Sequence, residues 1–344
     1  MVSEPTLTDD IIRHALQIQR LSAGEQQRLK PLMDQLADDL RGLLESGNLS
    51  EAGKREINAL IKQAEDVIAG AYVDAAQIVD AQELAKTVAE KTQTILISAL
   101  PGAAVQMPTA QVLASLATDV MIEGSPAKAY WAKQSEDTAF RFSAQVRQGV
   151  ANGEPTAKIV QRIVGKRGEP GVMDVSRQHA ATLVNASVQT VANDARLASF
   201  RANADIIKGV RQISTLDSHT STICIAYSGA EWDLDGKPLK GAPPFNGGPP
   251  RHWNCRSVLV PITRSFKELG IDLPDLEPTT RASKDGQIAA DTTFESFLDR
   301  QSKEFQDEVL GKGRADMWRA GDLTLRDLVS GTGRPLTLTQ LKAL

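Results

Sequence analysis

Up to Asn203 the apolar residues of this chain recur at threes and fours; after it the pattern changes, and helical spacing returns only in short runs of the tail. That spacing aligns one face of an α-helix turn after turn, so the larger part of the chain folds as amphipathic helices that bury their stripes together. Thr8, Asp9 and Asp10 precede Ile11, Ala15 and Ile18, which predicts a first helix with a capping hydroxyl and acids at its positive end. A second stripe runs through Leu29, Leu32, Met33, Leu36, Leu40, Leu43 and Leu44, with Pro31 suited to a first turn and Ser46-Gly47-Asn48 as the stop. Ser50 caps a third segment carrying Ile57, Leu60, Ile61, Ala64, Val67, Ile68, Ala71, Ala75 and Ile78. Pro101-Gly102 and Pro108 interrupt it, because proline cannot donate into a continuing helix. Ser125-Pro126 starts another helix that ends near Gly153, Thr156 a short one closed by Gly165, and residues 172–203 form one more long helix.

After Asn203 two short alternating runs, 209–213 and 257–261, read as strands. Between them, residues 236–250 are dense in glycine and proline, a loop that needs something to hold it. Leu269 to Pro278 reads as a proline-bearing linker. Ser302 before Phe305, with Gly311 as stop, and Thr324 before Leu325 and Leu328 predict short helices in the tail. The expected fold is mainly α with a small α+β module. Four regions follow: 1–105 helical, 106–203 helical and leading into the core, 204–270 the module, and 271–344 linker and short helices.

The chain has 344 residues, 41% of them hydrophobic, enough for a sizeable core and too many for a disordered chain. A net charge of −4 argues against a dedicated nucleic-acid binder, though not against a local basic patch. Two cysteines cannot staple a chain of this length, so a reducing compartment is the default. Met1 to Asp10 is polar and acidic, unlike an export signal, and the apolar stretch 95–105 is too short to span a bilayer. A soluble protein without membrane association is expected.

Chemistry-bearing residues concentrate between Asp217 and Arg256, in the order His219-x4-Cys224 and His252-x2-Cys255. Thiolate and imidazole are zinc ligands, and paired ligands on either side of a loop would pin it; Asp217 is a further candidate ligand. Two other readings stand beside this one: a metal-free contact between the two thiols, and unrelated buried positions. A catalytic reading makes His252, near Asn254, a general base and His219 with Asp217 an acid-base pair. None of the common nucleophile-elbow, zinc-helix or phosphate-loop motifs occurs, so no catalytic residue, metal or cofactor is assigned. Lys208, Arg211 and Arg251, with Arg256 and Arg264, flank the loop and are the candidate contacts to DNA; solvated charges at strand ends are the alternative.

The order Ile213 to Asp217, Thr220 and Cys224, then Gly229 and Trp232, then Pro249-Pro250-Arg251-His252-Trp253-Asn254-Cys255-Arg256-Ser257 and Val260-Pro261 resembles the phage head morphogenesis proteins, the Mu F-like or SPP1 gp7-like minor head proteins of tailed bacteriophages. The resemblance is dense over 180–262, and the tail 294–344 resembles extensions found in such proteins. Relatives often carry further cysteines where this chain has Ser221 and Ser257, a departure that weakens a four-thiolate metal site and leaves Cys224, Cys255 and His252. The resemblance implies a minor capsid protein made in the host cytoplasm and housed in the virion near the portal vertex. Its implied partners are the phage portal protein, the major capsid or scaffolding protein, and packaged DNA, with roles in head assembly, DNA packaging or ejection. Asp217, Thr220, Cys224, His252, Asn254, Cys255 and Arg256 then form a structural motif, with the two cysteines in side-chain contact. The alternative is a metal-dependent enzyme acting on nucleic acid through His219, His252 and Asp217.

Overall fold

A computed structural model describes residues 7–49, 51–265, 267–268, 280–289 and 291–343. Ser50 and the 269–278 linker lie outside the described residues. Four helices come first: α1 (Leu7–Glu45), α2 (Lys54–Ala76), α3 (Ala81–Ala99) and α4 (Ala110–Thr118). A small hairpin of β1 (Met121–Ile122) and β2 (Ser125–Pro126) leads to α5 (Ala127–Ala151), α6 (Thr156–Val164) and α7 (Val172–Arg201). The texture change at Asn203 is where β3 (Ile207–Ile213), α8 (Thr222–Ala226), β4 (Glu231–Trp232), β5 (Pro238–Leu239) and β6 (Val258–Thr263) follow. The remainder is β7 (Thr280–Ser283), β8 (Gly286–Ala289), α9 (Phe294–Leu298), α10 (Lys303–Leu310), α11 (Lys312–Ala320), a 3-10 turn (Leu325–Leu328) and α12 (Leu338–Leu341). The expected class, mainly α with a small sheet and short C-terminal helices, holds.

These elements form two compact units. One comprises Gln19–Ala81 and Asp119–Val188, the other Met1–Ile18, Gln82–Thr118 and Gln189–Leu344. In the first, α2 packs on α5 and α5 on α6. Gly149 of α5 permits the second contact, since a Cβ there would lie 2.5 Å from Ile159 Cγ1. A buried hydroxyl chain ties three helices, Tyr72 to Thr138 at 2.8 Å and Thr138 to Ser176 at 2.9 Å.

One expectation fails here: the two stripes expected at 8–18 and 29–44 belong to one helix, with Pro31 inside it rather than in a first turn. A proline in a helix interior is worth about 3 kcal/mol against it. Leu29, Met33, Leu36, Leu40 and Leu44 are all buried, at roughly 1.5–3 kcal/mol each. Their continuous face outweighs the proline, which sits exposed and leaves the carbonyl of exposed Gln27 to water. The helix after it starts at Lys54, later than a cap at Ser50 would allow; Gly53 is its N-cap and donates its N–H to the Glu56 carboxylate at 2.7 Å.

In the second unit a four-stranded antiparallel sheet has the order β5-β4-β3-β6. The two strands expected at 209–213 and 257–261 are neighbours, Val210 facing Pro261 and Ile213 facing Val258. Pro261 is tolerated because β6 is an edge strand. Register shifts between Ile207 and Gly209, where a Cβ on Gly209 would lie 2.4 Å from the Trp232 carbonyl oxygen. The sheet core gathers Val210, Ile213, Ile225, Tyr227, Trp232, Leu259, Phe294 and Leu328, so the tail completes it. The tail also holds the long loop: Arg326 donates to the Lys240 and Gly241 carbonyls at 2.8 and 3.0 Å, and the Asn246 amide donates to the Thr332 carbonyl at 3.0 Å.

Candidate functional site

The site lies where α8 meets the turn after the Gly/Pro-rich loop. Ser221 caps α8 by accepting the Cys224 N–H at 3.4 Å, which sets the Cys224 side chain at the start of this short helix. On the other side, Cys255 donates its N–H to the His252 carbonyl at 3.2 Å, closing a turn. Asn254 takes φ 60 in that turn, a left-handed conformation that asparagine tolerates. The result is convergence: Cys224 Sγ lies 3.5 Å from Cys255 Sγ and 3.2 Å from His252 Nε2. Both thiols are buried, in hydrogen-bond contact and not joined by a disulfide. Among the described residues these three form a group of donors all within 4.8 Å of one another, an arrangement able to hold a metal ion.

Charge is divided unequally between the sulfurs. The hydrogen bond with Cys224 and the contact with His252 hold the Cys255 thiol well below its ordinary range, against burial. The same partner and burial push Cys224 well above it, while the Ser257 and Ser221 hydroxyls pull the other way. Behind the thiols the Ser214 hydroxyl donates to the Cys224 carbonyl at 2.7 Å and accepts from Ser257 at 3.1 Å.

Beside this trio stands an ion pair. Arg256 grips Asp217 with two hydrogen bonds, 2.7 and 2.8 Å, joining the segment before α8 to the turn after the loop. Asp217 also accepts the His219 backbone N–H at 3.0 Å. Burial works against its charge, but Arg256 and these donors bring its carboxyl below the usual value. Thr220 donates to the Thr215 carbonyl at 2.6 Å, with its oxygen 3.2 Å from Asp217. The acid-base pairing considered for His219 and Asp217 is therefore not what this geometry contains. Asp217 takes the backbone N–H of His219, not its ring, and both carboxylate oxygens face Arg256.

The three candidate DNA contacts are separately engaged. Lys208 pairs with Glu268 at 3.5 Å. Arg211 meets Glu231 at 2.7 Å, and Lys240 reaches the same carboxylate at 2.9 Å. Arg251 turns inward: its guanidinium lies 3.6 Å above the Tyr227 ring, donates to Gln212 Oε1 at 2.7 Å and to the Phe245 carbonyl at 3.0 Å, and is lowered by burial to about 10. Arg251 is thus a prop under the loop, not part of an outer basic face.

Sequence reasoning missed the aromatic anchors. Trp232 Nε1 donates to the Pro243 carbonyl at 2.7 Å, Tyr227 OH to the Pro244 carbonyl at 2.9 Å, and Phe245 packs edge-on to Trp232. The signal available was chemical: in a chain with only 4% aromatics, a Tyr and a Trp stand just before one proline-rich loop and a Phe lies within it.

The model of the family described as phage Mu protein F like protein matches residues 141–260. That segment runs from α5 through β6 and contains the whole thiol-histidine cluster, in agreement with the family read from the Asp217–Cys224 and Pro249–Ser257 blocks. The match ends before the tail. No curated protein and no solved structure matches the chain.

Proposed function

We propose, taking the Mu F-like segment as premise, that this chain is a minor head protein of a tailed bacteriophage. In this reading it sits in the virion near the portal vertex, contacts the portal and the major capsid or scaffolding protein, and supports head assembly, DNA packaging or ejection. The observation that carries the reading is the family match over 141–260. The structure lends support of a different kind: the residues that carry the match hold one another. Asp217 clamps Arg256, Thr220 bonds a neighbouring carbonyl, Arg251 lies under the loop, and the cysteines face each other. Residues so engaged fit a rigid docking module better than a reactive centre, and the proposed role is structural, without enzymatic activity. Among the described residues no helix is long and apolar enough to cross a membrane.

The test is a phage carrying a nonsense mutation in this gene, grown in suppressing and non-suppressing hosts. Non-suppressed lysates are expected to contain misassembled or empty heads by electron microscopy, or full heads that fail to infect. Normal heads with normal infectivity would refute the proposal.

A further inference from the structure

We propose that Cys224 Sγ, Cys255 Sγ and His252 Nε2 bind a zinc ion through three protein ligands, and that the ion clasps the two ends of the Gly/Pro-rich loop. The donor set is the first argument. Two thiolates and an imidazole suit zinc, whose filled d shell imposes no geometry beyond a comfortable tetrahedron. With Zn–S near 2.3 Å and Zn–N near 2.0 Å, ligand atoms at tetrahedral corners lie about 3.5–3.8 Å apart. Cys224 Sγ stands 3.5 Å from Cys255 Sγ and 3.2 Å from His252 Nε2, and all three atoms lie within 4.8 Å of one another, so small shifts would admit the ion.

The second argument is the histidine's orientation. His252 Nδ1 is 2.8 Å from the Trp253 carbonyl oxygen, which can only accept, so the ring proton belongs on Nδ1. Nε2 is then left with its lone pair directed at the sulfurs. A carbonyl that fixes the tautomer in this way is the usual support of a metal-bound histidine. The arrangement follows from the chain itself: the His252–Cys255 turn, with Asn254 left-handed, sets two ligands together, and α8 brings the third from the far side of the loop. Without an ion these segments are held by the Asp217–Arg256 ion pair and by the hydrogen bonds of Ser257 to Ser214 and of Arg251 to Gln212. An ion adds a further tie on the buried side, where both cysteines are 4% exposed or less.

Cys224 and His252 also line a small cleft with His219, Thr220, Ser221, Asn254 and Arg256, which would supply the fourth coordination position. Its natural occupant is water or a hydroxyl. His219 is exposed and is not among the converging donors, and the proposal assigns it no bond to the metal.

The test uses the full chain, purified under reductant, equilibrated with zinc and passed through gel filtration before metal analysis. About one zinc per chain is expected, and replacement by cobalt(II) is expected to give the intense thiolate-to-cobalt charge-transfer absorption of a sulfur-ligated site. His252→Ala and Cys255→Ser should emerge without zinc while keeping the parental far-ultraviolet circular dichroism, and His219→Ala should keep its zinc. Metal-free parent protein after zinc treatment, or a cobalt form without charge-transfer bands, would overturn the proposal, as would full zinc in His252→Ala. Loss of zinc from His219→Ala would overturn the three-ligand assignment. If the ligand variants fail to fold, the cobalt spectrum of the parent chain decides alone.

Discussion

The helical unit and the sheet unit bury their apolar residues by different means. In the helical unit α2, α5 and α6 meet through continuous stripes, and a single glycine, Gly149, sets how closely two of them approach. In the sheet unit the strands are short and the connection between β5 and β6 is irregular. Its order comes from individual ties: an indole and a phenol on carbonyls, an arginine stacked on a tyrosine, a bidentate ion pair and a thiol-histidine cluster. The first kind of construction distributes stability over many similar contacts, and the second concentrates it in a few polar bonds that have no substitutes.

The largest effect expected from this contrast is a pair of aromatic truncations. Trp232→Ala and Phe142→Ala each remove a fully buried ring and should each cost about 3–5 kcal/mol in urea unfolding. Hydrogen exchange separates them: Trp232→Ala should raise exchange most in β3, β4 and residues 236–250, Phe142→Ala most in α2 and α5. Identical exchange maps would erase the distinction.

Acid is the next probe. His14, in the sheet unit, is brought down to about 4 by burial, with the charges of Arg196 and Lys91 adding to it. Between roughly 6.5 and 4 the unfolded chain binds a proton that the folded chain refuses, so stability falls as pH drops through that window, by up to about 2–3 kcal/mol. His14→Gln should flatten that part of the stability-pH curve. An unchanged slope would remove His14 as its source.

Asp217→Asn should cost about 1.5–3 kcal/mol, the range for hydrogen bonds to a charged group, and increase proteolysis within 229–250. Because the Asp217 carboxyl is lowered in the folded state, its contribution is present above the ordinary carboxylate range near 3.9 and lost as pH falls through the folded value. The variant should lack this acid limb. Gly149→Ala tests the helical side: its Cβ would press on buried Ile159, and overpacking of this kind costs about 1–3 kcal/mol, read as a lower urea midpoint.

How much of this was legible in the sequence differs between the units for a physical reason. A stripe is a local pattern, so α5, α6 and α7 are readable where they stand. Pro31 misleads because the local rule against proline cannot weigh the buried face of Leu29, Met33 and Leu36 on either side. In the sheet unit the pairing of Cys224 with Cys255 and of Asp217 with Arg256 is legible as two clusters flanking one loop. The inward turn of Arg251 is not, since nothing in a run of charges tells which one will find an aromatic ring. Nor is the role of the tail, whose contacts with residues 240–246 join positions more than eighty apart, well beyond any local pattern.

That last feature bears on synthesis. A ribosome releases residues in order, and the matched segment 141–260 emerges before Phe294, Arg326 and Thr332 exist to cover the loop and close the sheet core. At roughly 5–20 residues per second, several seconds pass in which Tyr227, Trp232 and Leu259 lack the tail residues that complete their core. The nascent chain is most vulnerable to wrong association in that interval. The matched segment therefore depends for its finished core on residues translated after it, which a helical bundle built from neighbouring stripes does not require.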